Sequence, residues 1–238
     1  MTDPLPFFDG SVLADVPYGF YGRFADDDGQ EEGLARYRET VVEHLAPGSS
    51  LVMLRQTHSA DCIVVREAWL YADRPEGDAL VTDRTGIVLG IVTADCAPVL
   101  LADPAAGVVG AAHAGWRGAR GGVLENTVAA MERLGARSER IVAVIGPTIA
   151  QENYEVDDAL RASFTEADAR FFAPGRSGRY QFDLPAYVAQ RLRDVGVASV
   201  EDLAHDTYAD LRHLHSFRRA THQASQTAGR QISAIARP

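Results

Sequence analysis

Six short aliphatic runs, at residues 51–54, 63–65, 87–92, 98–101, 108–112 and 141–145, constrain this chain more than any other feature. They are rich in Val, Ile and Leu, too short for buried helices, and bounded by Gly, Pro or Asp, which is the pattern of strands. Helical periodicity alternates with them. In 30–45, Leu34, Tyr37, Val41 and Leu45 recur every three or four residues, and in 123–134, Val123, Thr127, Val128, Met131 and Leu134 share a face that Gly135 ends. Further helices are expected at 157–164 and at 185–195, where Asp183 precedes the run and Pro185 suits a first turn, and a last strand at 232–235. Strands paired as hairpins, rather than in strict strand–helix alternation, predict an α+β fold of mixed and antiparallel strands with packed helices. No repeat or Pro/Ser-rich linker divides the chain, so residues 1–238 are expected to form a single domain.

The chain is 46% apolar and 24% charged, the balance of a globular protein with a full core. Its net charge of −10 opposes phosphate backbones and anionic bilayers, so neither nucleic acid nor membrane is an expected partner. All 23 basic residues are Arg. The lack of Lys excludes Schiff-base enzymes and P-loop nucleotide enzymes and leaves Arg as the strong side-chain cation. The opening MTDPLPFFDG has neither the basic nor the apolar part of a signal peptide, and no run of about 18 apolar residues follows, so a cytoplasmic location is expected. Two cysteines, Cys62 and Cys96, are too few for a disulfide framework and read as free thiols or metal ligands.

The chemistry concentrates in TADCAPVLLADPAAGVVGAAHAGWRG. If residues 103–106 form a hairpin loop, Ala102 faces Gly107 and Cys96 faces His113, with Cβ atoms about 5 Å apart on one face. Such a pair suits a Zn²⁺ site or a Cys–His nucleophile, and equally a structural thiol beside a buried imidazole. His58, at another strand end in LRQTHSADC, is the candidate third ligand. HAGWRGARGG reads as a glycine-rich loop ahead of the helix at Val123, whose N–H groups, with Arg117 and Arg120, suit an anion. Trp116 is a base-stacking or a core residue. His213 and His215 form an HxH pattern. Seven histidines are too few and too scattered for the several copper clusters of a laccase, so copper is the lesser candidate.

These motifs resemble the laccase-domain family of purine nucleoside phosphorylases, also called YfiH-like proteins, polyphenol oxidases and peptidoglycan editing factors. The similarity runs from Gly19, Phe20 and Arg23 through Gln56, His58 and Ser59, Gly77-Asp78-Ala79, and Thr93-Ala94-Asp95-Cys96 with Pro98. It is densest in His113-Ala114-Gly115-Trp116-Arg117-Gly118 and continues through Ile145-Gly146-Pro147, Tyr154-Glu155-Val156, Phe182-Asp183-Leu184 and Ser216-Phe217-Arg218-Arg219. The resemblance implies a zinc site of His58, Cys96 and His113. It also implies phosphorolysis of adenosine, inosine, guanosine and methylthioadenosine, with inorganic phosphate as co-substrate and adenosine deamination as a second activity. Phosphate is expected at Arg117 or Arg23, with Gln56 also on the substrate, and Asp95 or a zinc-bound water, beside Cys96, as a proton source. The alternative is a cysteine hydrolase editing peptidoglycan precursors, with Cys96 as nucleophile and His113 as base. The chain departs from the family at residues 24–29 and at Thr148, where the family has Cys.

Overall fold

The computed structural model describes residues 6–13, 15–24, 31–225 and 229–238. In chain order the strands are β1 (Phe7–Phe8), β2 (Tyr18–Tyr21), β3 (Ser50–Val52), β4 (Cys62–Val64), β5 (Ala79–Thr82), β6 (Ile87–Thr93), β7 (Ala97–Asp103), β8 (Val108–Ala114), β9 (Val142–Ile145), β10 (Glu155–Asp157), β11 (Phe172–Pro174), β12 (Arg179–Phe182), β13 (Ser199–Asp202) and β14 (Gln231–Ala236). The helices are α1 (Glu31–Leu45), α2 (Trp116–Gly121), α3 (Val123–Arg133), α4 (Asp158–Ala162), α5 (Leu184–Asp194) and α6 (Phe217–His222). Each of the six aliphatic runs carries a strand, and α1, α3, α4 and α5 lie where periodicity places them. Gln30 and residues 25–29 fall outside the described residues.

Two large sheets stack face to face. One has the order β1-β2-β14-β6-β3 and the other β13-β9-β7-β8-β5-β4, while β10, β12 and β11 form a small third sheet. Pairing is antiparallel except for β3–β6, β4–β5 and β9–β13, which gives the mixed α+β architecture. Alternation along β7 explains the layering. Leu100 and Ala102 point toward Phe20, Leu89, Ile91 and Ile235 of the five-stranded sheet. Ala97, Val99 and Leu101 point the other way, into a core built with Val123, Leu124 and Met131 of α3 and Leu184, Val188 and Leu192 of α5. The outer face of the five-stranded sheet is covered by Tyr37 and Val41 of α1. Because β7 and β8 are buried on both faces, every residue in them is solvent-inaccessible and their sequences show no polar alternation.

The β7–β8 register differs from the expected one by two residues. Pro98 faces His113, and Asp103 faces Val108. Gly107 adopts φ +64°, a left-handed conformation that suits glycine, and ends a turn in which Ala106 N–H donates to the Asp103 carbonyl at 3.2 Å and Gly107 N–H to that of Pro104 at 3.2 Å. The loop is therefore 104–107, with Asp103 and Val108 closing the ladder. A shift of two keeps every side chain on its face, so Cys96 and His113 become diagonal neighbours that still point the same way. The glycine-rich stretch also departs from expectation. Residues 116–121 form α2, and Gly122, at φ +101°, is the joint between α2 and α3.

Candidate metal centre and cleft

Cys96 stands just before β7 and His113 near the end of β8, both on the face turned toward the five-stranded sheet. His58 reaches them from the β3–β4 connection, on a residue with φ +61°. Its Nε2 lies 3.8 Å from Cys96 Sγ, its ring meets that of His113 edge-on at 4.8 Å, and the three ligand atoms all lie within 4.8 Å of one another. Gly115 leaves the room they need. A Cβ there would stand 2.9 Å from Cys96 Sγ and 3.0 Å from His58 Cδ2.

Asp78 organises this trio, a role the sequence reading did not assign. Fully buried, it accepts His113 Nδ1 at 2.7 Å and the backbone N–H groups of Thr57, His58 and Ser59 at 3.1, 3.0 and 2.6 Å. One carboxylate thus fixes the strained turn that carries His58 and directs His113 Nε2 toward the cluster. Burial alone would raise the Asp78 pKa, but the His113 and backbone hydrogen bonds overcome it and hold the carboxyl well below its ordinary range. Burial likewise opposes ionisation of Cys96, yet the two imidazoles bring its thiol down to about 6. His113 moves up, because Asp78 and Cys96 outweigh its desolvation. Cys62 contrasts with it: burial pushes that thiol up to about 12 in β4, where it packs against the core.

The trio opens into a cleft of about 600 Å³. Arg55, Arg74, Arg117, Arg218 and Arg230 line it, with Tyr71, Trp116, Tyr154 and Phe217. Of the two arginines expected to meet phosphate, Arg117 lines the cleft. Arg23 is not among the lining residues; its Nε donates to the Leu214 carbonyl at 3.2 Å. Gln56 lines the cleft, but its amide is engaged at both ends by Val92, donating to the carbonyl at 2.7 Å and accepting the N–H at 2.8 Å. Asp95 lines it too, with Oδ1 accepting the Thr207 hydroxyl and Oδ2 the Arg218 N–H, each at 2.6 Å. Both oxygens of the carboxylate are thus engaged by neighbouring donors. The adjacent arginines split: Arg218 faces the cleft, whereas buried Arg219 donates to the carbonyls of Thr207, Tyr208 and Leu214 and pins the 207–214 loop. His213 lies in a turn and pairs with Asp210 at 3.0 Å. Among the described residues, His58, Cys96 and His113 are the one group of three or more such side chains arranged to share an ion.

The family model for multi-copper polyphenol oxidoreductase laccase matches residues 21–238. The chain belongs to that family. A purine nucleoside phosphorylase of Rickettsia conorii is 35% identical over 189 residues, covering 78% of this chain and 77% of that protein. An adenosine deaminase from an unknown prokaryotic organism is 44% identical over 124 residues, covering 49% and 47%. The crystal structure of the hypothetical protein YfiH of Bacillus licheniformis superposes with a TM-score of 0.86 at 26% identity, covering 99% of this chain and 98% of that one. The family's name speaks of several coppers, whereas the two imidazoles and one thiol gathered here could hold one ion. No helix among the described residues is long and apolar enough to cross a membrane.

Proposed function

We propose that the chain is a zinc-dependent purine nucleoside phosphorylase acting on adenosine, inosine, guanosine and methylthioadenosine, with adenosine deamination as a side activity of the same cleft. The observation that carries this reading is the convergence of His58, Cys96 and His113 on the floor of an arginine-lined cleft, in a chain whose relatives carry those two activities in their names. His58, Cys96 and His113 would hold the ion, which supplies Lewis acidity at the purine when bound. Inorganic phosphate would be met by Arg117, with Arg218 lining the same cleft, since no Lys is available. Trp116, Tyr154 and Phe217 offer the flat apolar surfaces a purine needs.

In the reaction, a phosphate oxygen bonds to C1′ as the N-glycosidic bond breaks. The bonding pair leaves with the purine, which takes up the proton that the phosphate gives up, directly or through water. The arginines hold the attacking anion beneath a sugar carbon that becomes positively charged, so their contribution grows toward the transition state. The Cys96–His113–Asp78 order is also that of a thiol nucleophile with its base. The second imidazole on the sulfur, His58 at 3.8 Å, favours the metal reading.

The test is incubation with each nucleoside, with and without phosphate, and identification of products by mass. Free base with the 1-phosphate of the nucleoside's own sugar is expected only when phosphate is present, and inosine with ammonia from adenosine. Cys96→Ala should lose both the metal and the turnover. Wild-type metal content in that variant, or no product from any nucleoside with zinc fully loaded, would refute the proposal.

A further inference from the structure

We propose that Asp95 is a positioning residue that locks the Cys96 ligand to the Arg218 wall of the cleft, and that it carries no proton in the reaction. Three separate stretches of chain, at 148–149, 207 and 218, meet on it through four hydrogen bonds. Its Oδ1 accepts the Thr207 hydroxyl and its Oδ2 the Arg218 N–H, both at 2.6 Å, while its own carbonyl accepts Ile149 N–H at 3.0 Å and the Thr148 hydroxyl at 2.8 Å. To make all four contacts the residue adopts φ +90°, a left-handed conformation that Asp tolerates better than most side chains.

What Asp95 joins explains why that arrangement matters. The next residue is Cys96. On the other side, Arg218 belongs to the first turn of α6, where the Arg219 N–H is capped by Ser216 Oγ at 3.1 Å and the Arg218 N–H by Asp95. That turn projects into the cleft the Arg218 guanidinium, which donates to the Glu155 carbonyl at 2.9 Å and stands 5.4 Å from the Tyr154 ring. It also presents the Phe217 ring, 61% exposed on the cleft surface. A metal ligand and a substrate wall that lie more than 120 residues apart are thus tied through a single carboxylate. Thr207, itself fully buried, would be left with an unmatched hydroxyl if the carboxylate were removed. Each Asp95 oxygen accepts one hydrogen bond, Oδ1 from a hydroxyl and Oδ2 from an amide, so both ends of the carboxylate are engaged in the tie.

Asparagine separates the two roles. Its Oδ1 can accept the Arg218 N–H, and its Nδ2 can donate to the Thr207 oxygen once that hydroxyl rotates, so Asp95→Asn keeps the tie but cannot shuttle a proton. Asp95→Ala breaks the tie. Metal affinity, measured by competition of zinc-loaded protein against a chelator, is expected to weaken about 10- to 100-fold in Asp95→Ala and to stay within about fivefold of wild type in Asp95→Asn. On the nucleoside reading above, kcat/KM for adenosine with phosphate follows the same division. Asp95→Asn as inactive as Asp95→Ala, with wild-type metal affinity in both, would overturn the proposal in favour of a proton carrier. Asp95→Ala indistinguishable from wild type would overturn it as well. If Asp95→Ala does not fold, Thr207→Val removes one of the two donors and is expected to weaken metal affinity severalfold; wild-type affinity there refutes the tie. The chelator measurement needs no nucleoside, so a failure of the phosphorylase reading is told apart from a failure of this one.

Discussion

Asp78 and Asp103 lie at opposite ends of the β7–β8 hairpin, each fully buried and each surrounded by N–H donors. Asp78 takes three backbone N–H groups and the His113 ring. Asp103 takes the N–H groups of Ala106 and Arg137 at 3.1 and 3.0 Å and the Arg140 guanidinium at 3.0 and 2.8 Å. For both, burial would raise the pKa, and the donors reverse that and lower it. The difference lies in the cation. Arg140 ends at Asp103 and partly faces solvent, so the pair closes a turn and fastens the segment after α3. His113 has a second nitrogen, and fixing the first at Asp78 aims the second at Cys96 and His58. One device makes a fold at one end of the hairpin and a site at the other.

The sharpest way to break the comparison is to neutralise each carboxylate. Asp78→Asn presents a donor or a neutral carbonyl to four donors at once, and is expected to weaken metal binding about 10- to 100-fold and to destabilise the fold by about 3–5 kcal/mol. Chelator competition and denaturant melts measure the two effects separately. Retained metal affinity in a folded Asp78→Asn would mean that His113 needs no anchor. Asp103→Asn is expected to cost about 1–3 kcal/mol and to leave metal affinity unchanged.

Asp103 also makes a pH-dependent contribution with a definite sign. Its folded pKa lies below its ordinary value of 3.8, so its stabilisation is complete above that value and is lost as pH falls through the folded one. The acid limb of the stability profile, roughly pH 5 to pH 2, should therefore be shallower in Asp103→Asn than in wild type. Equal slopes would show that the carboxylate is not held in its charged form.

How much of this was legible in the sequence follows the same division. Residue types that bind metals are rare, and strand ends are marked by Gly, Pro and Asp, so His58, Cys96 and His113 could be brought together before any coordinates. The hairpin register was misplaced by two because Gly107 reads equally well as a strand or a turn residue until its φ of +64° is known. Asp78 was seen only as part of Gly77-Asp78-Ala79, since a carboxylate that bonds the backbone of a segment twenty residues away leaves no local pattern. Arg218 and Arg219 are identical in sequence and opposite in role, one on the cleft and one buried under a loop. The small sheet of β10, β11 and β12 has no strand signature in the sequence, because its strands are three or four residues long and Glu155, Asp157, Arg179 and Gln181 interrupt any apolar run.

The smallest expected effect is also the control for the comparison. Arg140→Ala removes two charge-assisted bonds from Asp103 but leaves the Ala106 and Arg137 N–H groups in place, so the carboxylate stays solvated by the backbone. Because the guanidinium side chain is 38% exposed, part of what it contributes is screened, and the expected cost is about 1 kcal/mol. The metal site should not sense the change, since the shared strand, β7, is rigidly paired on both sides by β8 and β9 and only the turn end is disturbed. A drop in metal affinity in Arg140→Ala would show that strain at Asp103 travels the length of β7 to Cys96, and that the two ends of the hairpin are one device rather than two.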